Sequence, residues 1–377
     1  MEKIRLGMIG GGPGAFIGYT HRIAASMDGR YELVGGAFSS KYEKSLQFAR
    51  SEGLDEKRVY RDVAELVSKE MKLPVEKRME AVAIVTHNSL HYPAARELIL
   101  GGLHVICDKP VTVTVHEAEE LERLVSERGV VFGLTHNYTG FPMVREGRKR
   151  VEEGALGEIQ KVDVQYYMDA FNAEVHDPEK RRTQWRFDPE KSGLSLTAAD
   201  LGTHAFNLAE YIAGVRVKSV IADLNTVHED IPLDVDVNVL LRFENGARGV
   251  LCSSHIATGE DNNLEIKVYG RDGGLIWEEE NPNHLHLLHQ NEPAQILTRA
   301  RKYNSRLSME SSRVFRGLTE GFFEAFANIY TGAAKAIRGE TYDPAEFPTI
   351  SDGVRTMKFV EAVVASHRKG NIWVNLD

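Results

Sequence analysis

The chain has 377 residues, too many for one ordinary core and about right for two domains. Its 42% hydrophobic and 27% charged content is that of a soluble globular protein, and a net charge of −9 argues against nucleic-acid and anionic-membrane partners. No run reaches the roughly 18 to 20 apolar residues of a membrane span.

The opening MEKIRLGMIGGG lacks the apolar region and small-residue cleavage site of a signal peptide. With Cys107 and Cys252 both in apolar runs and no C-x-x-C spacing, the expectation is a cytoplasmic protein with buried, reduced thiols. Residues 3–9, KIRLGMI, predict a first strand that runs into GGGPGAFIG. Glycine is costly inside regular elements, so a cluster of them needs a reason. Between an apolar strand and a helix, glycines let the backbone approach a pyrophosphate, which the N–H groups of the helix N-terminus then bind. The loop therefore predicts a dinucleotide cofactor, with Gly10, Gly12 and Gly14 lining it. The glycine that packs helix against strand is read as Gly18 in place of Ala15. That makes the loop three residues longer than G-x-G-x-x-G, with Ala15, Phe16 and Ile17 bulging out. Phe16 and Ile17 then hang over the cofactor or substrate, or else tuck beneath the loop.

A helix follows at His21–Met27 and a second strand at Tyr31–Ser39. That strand runs into Ser39, Ser40 and Lys41, with no acid until Glu43. An acid there would bond the ribose 2′-hydroxyl and repel a 2′-phosphate. Two hydroxyls and an ammonium suit either group, so the cofactor is NAD or NADP, with a slight lean towards tolerance of NADP. Helices at Lys41–Gly53 and Asp62–Met71, the apolar strand Ala81–His87, and further strands at HVICDKP and VVFGLTH continue the alternation. Such alternation predicts right-handed βαβ units and a parallel sheet.

After His136 the pattern changes. A helix near Phe141–Glu153 is followed by strands of period two, with hairpin signals at ENG (Glu244–Gly246) and at Gly273–Gly274. HLHLLH (His284–His289) alternates like a strand and has no thiolate or carboxylate to complete a zinc set, so no metal site is expected. Two late helices, about Glu320–Arg338 and Asp352–Arg368, close the chain. The fold class is α/β: a parallel-sheet domain over 1–137, then an α+β domain over 138–377 with a large open, mostly antiparallel sheet. An open sheet covered on one side would leave a large apolar face, which predicts a homo-oligomer, dimer or tetramer.

The glycine loop, CDKP (Cys107–Pro110) and DLGTH (Asp200–His204) together resemble the Gfo/Idh/MocA oxidoreductases. The resemblance runs through nearly the whole chain. It implies a Rossmann domain followed by a substrate domain whose open sheet mediates oligomerisation. Asp108 stands where the family usually has glutamate, and Ser192-Gly193-Leu194-Ser195 is a reduced form of the usual glycine cluster. The resemblance also puts Thr86, Asn88 and His91 of THNSLH along the cofactor, beside Asp108 and Lys109.

Oxidising a secondary alcohol needs a hydride acceptor, a base for the hydroxyl proton and a group that holds the oxygen. Asp200 and His204 are four apart and share a helix face. A carboxylate there orients the imidazole and favours its protonated form. His204 is read as the acid/base, and Asp200 as the partner that binds a substrate hydroxyl and tunes it. Lys109 ends a parallel strand, where ligands of such sheets bind, and Pro110 after it is expected to be cis, aiming the lysine. In TQWRFDP, Trp185 is read as a surface for a sugar ring and Arg186 as a ligand for its oxygen, the alternative being ordinary packing. The sequence thus predicts an NAD(P)-dependent dehydrogenase or reductase of a sugar, polyol or related polyhydroxylated compound. Its rivals are a non-enzymatic NAD(P)-binding sensor and an NAD-dependent glycoside-cleaving enzyme of the same fold.

Overall fold

The computed structural model describes residues 2–376, which form two compact units. The first begins with β1 (Ile4–Gly10), α1 (Phe16–Met27), β2 (Tyr31–Ala37), α2 (Tyr42–Ser51), α3 (Val63–Glu70), β3 (Ala81–Val85), α4 (His91–Leu100), β4 (His104–Cys107), α5 (Val115–Arg128) and β5 (Phe132–Leu134). Local chemistry explains the boundaries. Asp62 accepts from the Glu65 N–H at 2.8 Å to start α3, as its cap position predicts. β3 is buried at every residue, as a parallel strand covered on both faces must be. The strands form a parallel sheet in the order β2-β1-β3-β4-β5. The order reverses around β1, so the glycine loop leaves the sheet at its switch point, where open α/β sheets bind ligands.

The second unit contains α6 (Pro142–Glu152), β6 (Ile159–Tyr167), the short helices α7 (Asn172–His176), α8 (Pro178–Thr183) and α9 (Pro189–Ser192), and α10 (Thr203–Ala213). Then come β7 (Val217–Asn225), β8 (Asp236–Phe243), β9 (Arg248–Ser254), β10 (Asn263–Gly270), β11 (Gly274–Glu278), β12 (His284–Leu288), β13 (Gln295–Thr298) and α11 (Arg306–Glu310). Both expected hairpins form, β8 with β9 and β10 with β11. The stretch HLHLL is a strand paired with β11 and β13. The nine-stranded sheet has the order β13-β12-β11-β10-β6-β9-β8-β7-β14, where β14 is Val374–Asn375, and every pair is antiparallel except β6 with β9.

The chain returns to the first unit through α12 (Phe322–Ile337), and α13 (Ile350–Arg368) begins there and ends in the second. The units are therefore 1–112, 116–140 and 322–354 against 113–115, 141–321 and 355–377. This departs from the expected division at 137/138, which assigned the two late helices wholly to the second domain. The reason is packing: Phe326, Ile329, Tyr330 and Ala333 of α12 share one core with Ile4, Leu6 and Met8 of β1.

The outer face of the large sheet mixes charged and apolar side chains. Lys161 and Asp163 pair on it at 2.7 Å and Lys267 and Glu265 at 2.8 Å, while exposed Leu240 stands between Ile221 and Val250 of the neighbouring strands. Cys107 is buried, but Cys252 is only half-buried. No helix among the described residues is long and apolar enough to cross a membrane.

Candidate functional site

In the first unit the glycine loop runs from the end of β1 to α1. A Cβ on Gly18 would lie 2.3 Å from the Gly11 Cα, so Gly18 is where helix and loop cross, as the long-loop reading requires. Phe16 and Ile17 do not bulge from that loop. They form the first turn of α1, where Ile17 packs on the core and Phe16, 67% exposed, stacks on Phe322 at 6.4 Å. Gly14 takes φ +80° with open space where a side chain would stand. No side chain caps α1, whose N-cap is Ala15, and no acid lies in its first turn. An uncapped N-terminus behind a bare backbone loop is a site for an anion, and it fits a dinucleotide's pyrophosphate.

Beyond β2, Ser39 is half-buried and Ser40 and Lys41 are exposed. The Ser39 hydroxyl accepts from the Lys41 N–H at 3.2 Å. Past β3, Thr86 is half-buried and Asn88 buried. His91, expected along the cofactor, is held between backbone carbonyls. It is wholly buried, its Nδ1 lies 2.7 Å from the Pro110 carbonyl and its Nε2 3.1 Å from that of Thr86. The ring thus sits between two carbonyls, one past the end of β3 and one in the Lys109–Pro110 segment; in the neutral form that burial favours, it donates to one of them.

The Lys109–Pro110 bond is cis, as expected. The Asp108 carboxylate accepts from the Lys109 N–H at 2.8 Å and from the Thr135 hydroxyl at 3.0 Å, so it shapes the turn after β4. Two histidines that sequence reasoning missed stand in the same unit. His136, just past β5, is buried, and burial together with the Lys109 charge holds its ring down to about 3. Its place beyond a strand's carboxyl end is the signal that would have found it. His21 bonds the Tyr330 hydroxyl at 2.8 Å, and burial above all holds it down to about 4.

In the second unit the expected helix around DLGTH is interrupted. Residues Ala198–Gly202 form a π-turn ahead of α10, a departure frequent at functional sites. Asp234 anchors the segment that leads into it. Its buried carboxylate accepts from the Ser195 hydroxyl at 2.9 Å and from the N–H groups of Leu196, Thr197 and Ala198 at 3.2, 3.0 and 3.1 Å. Burial nevertheless pushes that carboxyl up from its ordinary value.

Asp200 sits on the turn, half-buried, with its Oδ2 3.3 Å from Arg186 Nε and 3.4 Å from His255 Nε2. His255 is a third missed residue. It lies 55 positions after Asp200 in sequence (255 − 200), just past β9, and no local spacing links them. His204 is buried in the first turn of α10, its ring 6.2 Å from that of Tyr166. Arg186 also covers one face of Trp185, at 4.7 Å from the ring centre. That face is therefore taken, and a sugar could stack only on the other. Among the described residues no group of three or more His, Cys, Asp or Glu side chains is placed to hold a metal ion.

Known proteins share this fold. Residues 4–136 match the oxidoreductase family with an NAD-binding Rossmann fold, and residues 144–276 match the GFO/IDH/MocA C-terminal domain. The chain is 31% identical to the uncharacterized oxidoreductase YfiI of Bacillus subtilis over 99% of its own length and 97% of that protein's. An oxidoreductase structure from Sinorhizobium meliloti is 41% identical with a TM-score of 0.89, covering 99% of this chain and all of that one. An inositol dehydrogenase homolog from Azotobacter vinelandii, solved with NAD+, is 32% identical with a TM-score of 0.92 over 99% of this chain and 97% of that one. An inositol dehydrogenase homolog from Azotobacter vinelandii has also been solved with NADH and myo-inositol, at 31% identity and a TM-score of 0.90 over 99% of this chain and 98% of that one. The chain belongs to the Gfo/Idh/MocA family of NAD-binding oxidoreductases.

Proposed function

We propose that this protein transfers hydride between a nicotinamide cofactor and a secondary alcohol or ketone of a sugar, polyol or related polyhydroxylated compound. The observation that carries the reading is Asp200: a carboxylate on a π-turn, 3.3 Å from the Arg186 guanidinium and 3.4 Å from the His255 ring, four residues before a buried histidine. A carboxylate held in this way can accept a hydrogen bond from a hydroxyl of a polyhydroxylated ligand. The myo-inositol bound by the Azotobacter relative supports the substrate class.

The bound nicotinamide would supply hydride acceptance and donation. The residues of this chain do the rest. The backbone of Gly10–Ala15 and the N-terminus of α1 hold the pyrophosphate, with Gly18 letting the helix come close. Ser39, Ser40 and Lys41 receive the adenosine ribose or its 2′-phosphate, and Thr86, Asn88 and Asp108 line the nicotinamide half. His204 takes the hydroxyl proton in oxidation and returns it in reduction, Lys109 hydrogen-bonds the reacting oxygen, and Asp200 and Arg186 hold neighbouring hydroxyls. The free thiols Cys107 and Cys252 fit a reducing, cytoplasmic compartment.

The test is a panel of myo-inositol, other polyols and monosaccharides assayed with NAD and NADP for absorbance of the reduced nicotinamide. Turnover of at least one, lowered about 10²–10⁴-fold in His204→Ala and Lys109→Ala with cofactor binding retained, is the expected result. Tight NAD binding with no turnover of any compound favours a sensor. Release of a sugar from a glycoside without net NADH favours glycoside cleavage.

A further inference from the structure

We propose that His255 is a positioning residue that holds a proton against Asp200, forming with Arg186 a two-cation clamp on a single carboxylate oxygen. Its bearing on turnover rests on the function proposed above; the clamp itself does not. The argument starts from a hydroxyl. Thr197 Oγ1 lies 3.0 Å from the Asp234 carbonyl oxygen, which can only accept, and 2.9 Å from His255 Nδ1. A hydroxyl has one proton to give. With that proton directed to the carbonyl, the ring must donate Nδ1–H to the hydroxyl. His255 Nε2 then stands 3.4 Å from Asp200 Oδ2. A neutral ring with its proton on Nδ1 would set a lone pair against a carboxylate. A ring protonated on both nitrogens presents an N–H there.

The surroundings favour the charged ring. Phe171 packs against His255 with ring centres 4.7 Å apart, and the Arg186 guanidinium lies 5.8 Å from the same phenyl ring, so one aromatic side chain serves both cations. The charged groups around His255 include Asp200 on the π-turn, Arg186 on the 185–187 turn and Asp234 beneath Thr197. Burial and Arg186 oppose the charge, but Asp200 is the group in direct contact. Because both cations meet Oδ2, they fix the rotation of the carboxylate and present Oδ1 as its other edge. Without His255, Arg186 alone would allow the carboxylate to swing.

The test uses the full chain labelled with 15N at histidine, read by long-range 15N–1H correlation between pH 6 and 9. His255→Gln and Asp200→Asn each assign the ring independently, the first by loss of its signals and the second by their shift. The expected wild-type spectrum shows His255 protonated on both nitrogens at pH 7.5, where a free imidazole of pKa about 6.5 is mostly neutral. Asp200→Asn should return it to neutrality at that pH. A neutral His255 at pH 7.5 in the wild type, or a titration unmoved by Asp200→Asn, overturns the clamp. If His255→Gln does not fold, Asp200→Asn and the wild-type spectrum still decide. With a polyol that the enzyme oxidises, His255→Gln should shift the acid limb of the rate profile and raise KM about tenfold, leaving NAD binding unchanged. A uniform loss at all pH values would mean a merely structural ring. The spectrum needs no substrate, so a protein that oxidised no polyol would still leave the clamp standing or falling by itself.

Discussion

Gly18 and Gly11 touch backbone to backbone: a Cβ on Gly18 would be 2.3 Å from the Gly11 Cα and 2.5 Å from its carbonyl oxygen. Neither atom can move without moving the loop that receives the pyrophosphate. Gly18→Ala should therefore destabilise the fold by about 1–3 kcal/mol and weaken NAD binding together. Gly14→Ala meets no atom within 4 Å and should cost only the left-handed conformation, about 1–2 kcal/mol. Thermal melting and a titration with NAD, run on both variants, check this. Equal NAD affinities in the two would mean that the crossing does not shape the site.

His136 and His21 make stability depend on acid. Their rings are held down to about 3 and about 4, against 6.5 in an unfolded chain, so the folded state resists their protonation. A lowered histidine contributes stability that is complete above about pH 6.5 and is lost as pH falls towards the folded values. At pH 5 each should cost about 2 kcal/mol. Burial lowers His91 and His104 as well, so urea unfolding at pH 7.5 and pH 5 should show a loss of at least the sum for His136 and His21, and His136→Gln should reduce it by about 2 kcal/mol. An unfolding free energy flat between those pH values would contradict the reading.

Lys41 stands exposed where an NAD-specific domain places an acid. Wild-type protein should accept NADP within a hundredfold of NAD, and Lys41→Ala should weaken NADP more than NAD. Isothermal titration with both cofactors decides. A larger preference for NAD, unchanged by Lys41→Ala, would leave the serines as ribose ligands alone.

The outer face of the nine-stranded sheet carries the Lys161–Asp163 and Lys267–Glu265 pairs beside an apolar stretch of Ile221, exposed Leu240 and Val250. An apolar stretch flanked by both signs of charge can pair with its own copy about a two-fold axis. We therefore expect light scattering to give a multiple of the 42.2 kDa chain mass, reduced by Leu240→Glu. A single-chain mass at micromolar concentration would rule out that pairing.

The strands of the first unit were legible because each is an apolar run ended by glycine, proline or a polar cap, and the glycine loop announced its own chemistry. DLGTH gave Asp200 and His204, but not the π-turn. The segment leading into that turn is held by Asp234, whose carboxylate gathers the N–H groups of residues 196–198 from 36 to 38 residues away. His255 was invisible for the same reason, since its link to Asp200 exists only once β9 is in the sheet. His91 shows the converse: the residue was picked out, but only the fold shows that its ring sits between two carbonyls. The return of α12 was equally hidden, because an amphipathic helix states that it has a buried face and not what will cover it.

That return governs the order in which the chain can mature on the ribosome. The first 140 residues contain every strand of the dinucleotide sheet, yet their core lacks Phe326, Ile329, Tyr330 and Ala333 until α12 has been synthesised. A nascent chain stopped at residue 140 would leave that apolar surface wet, and would be a client for chaperones. The part of the protein made first is completed nearly last, after the whole nine-stranded sheet except its two-residue edge strand has emerged.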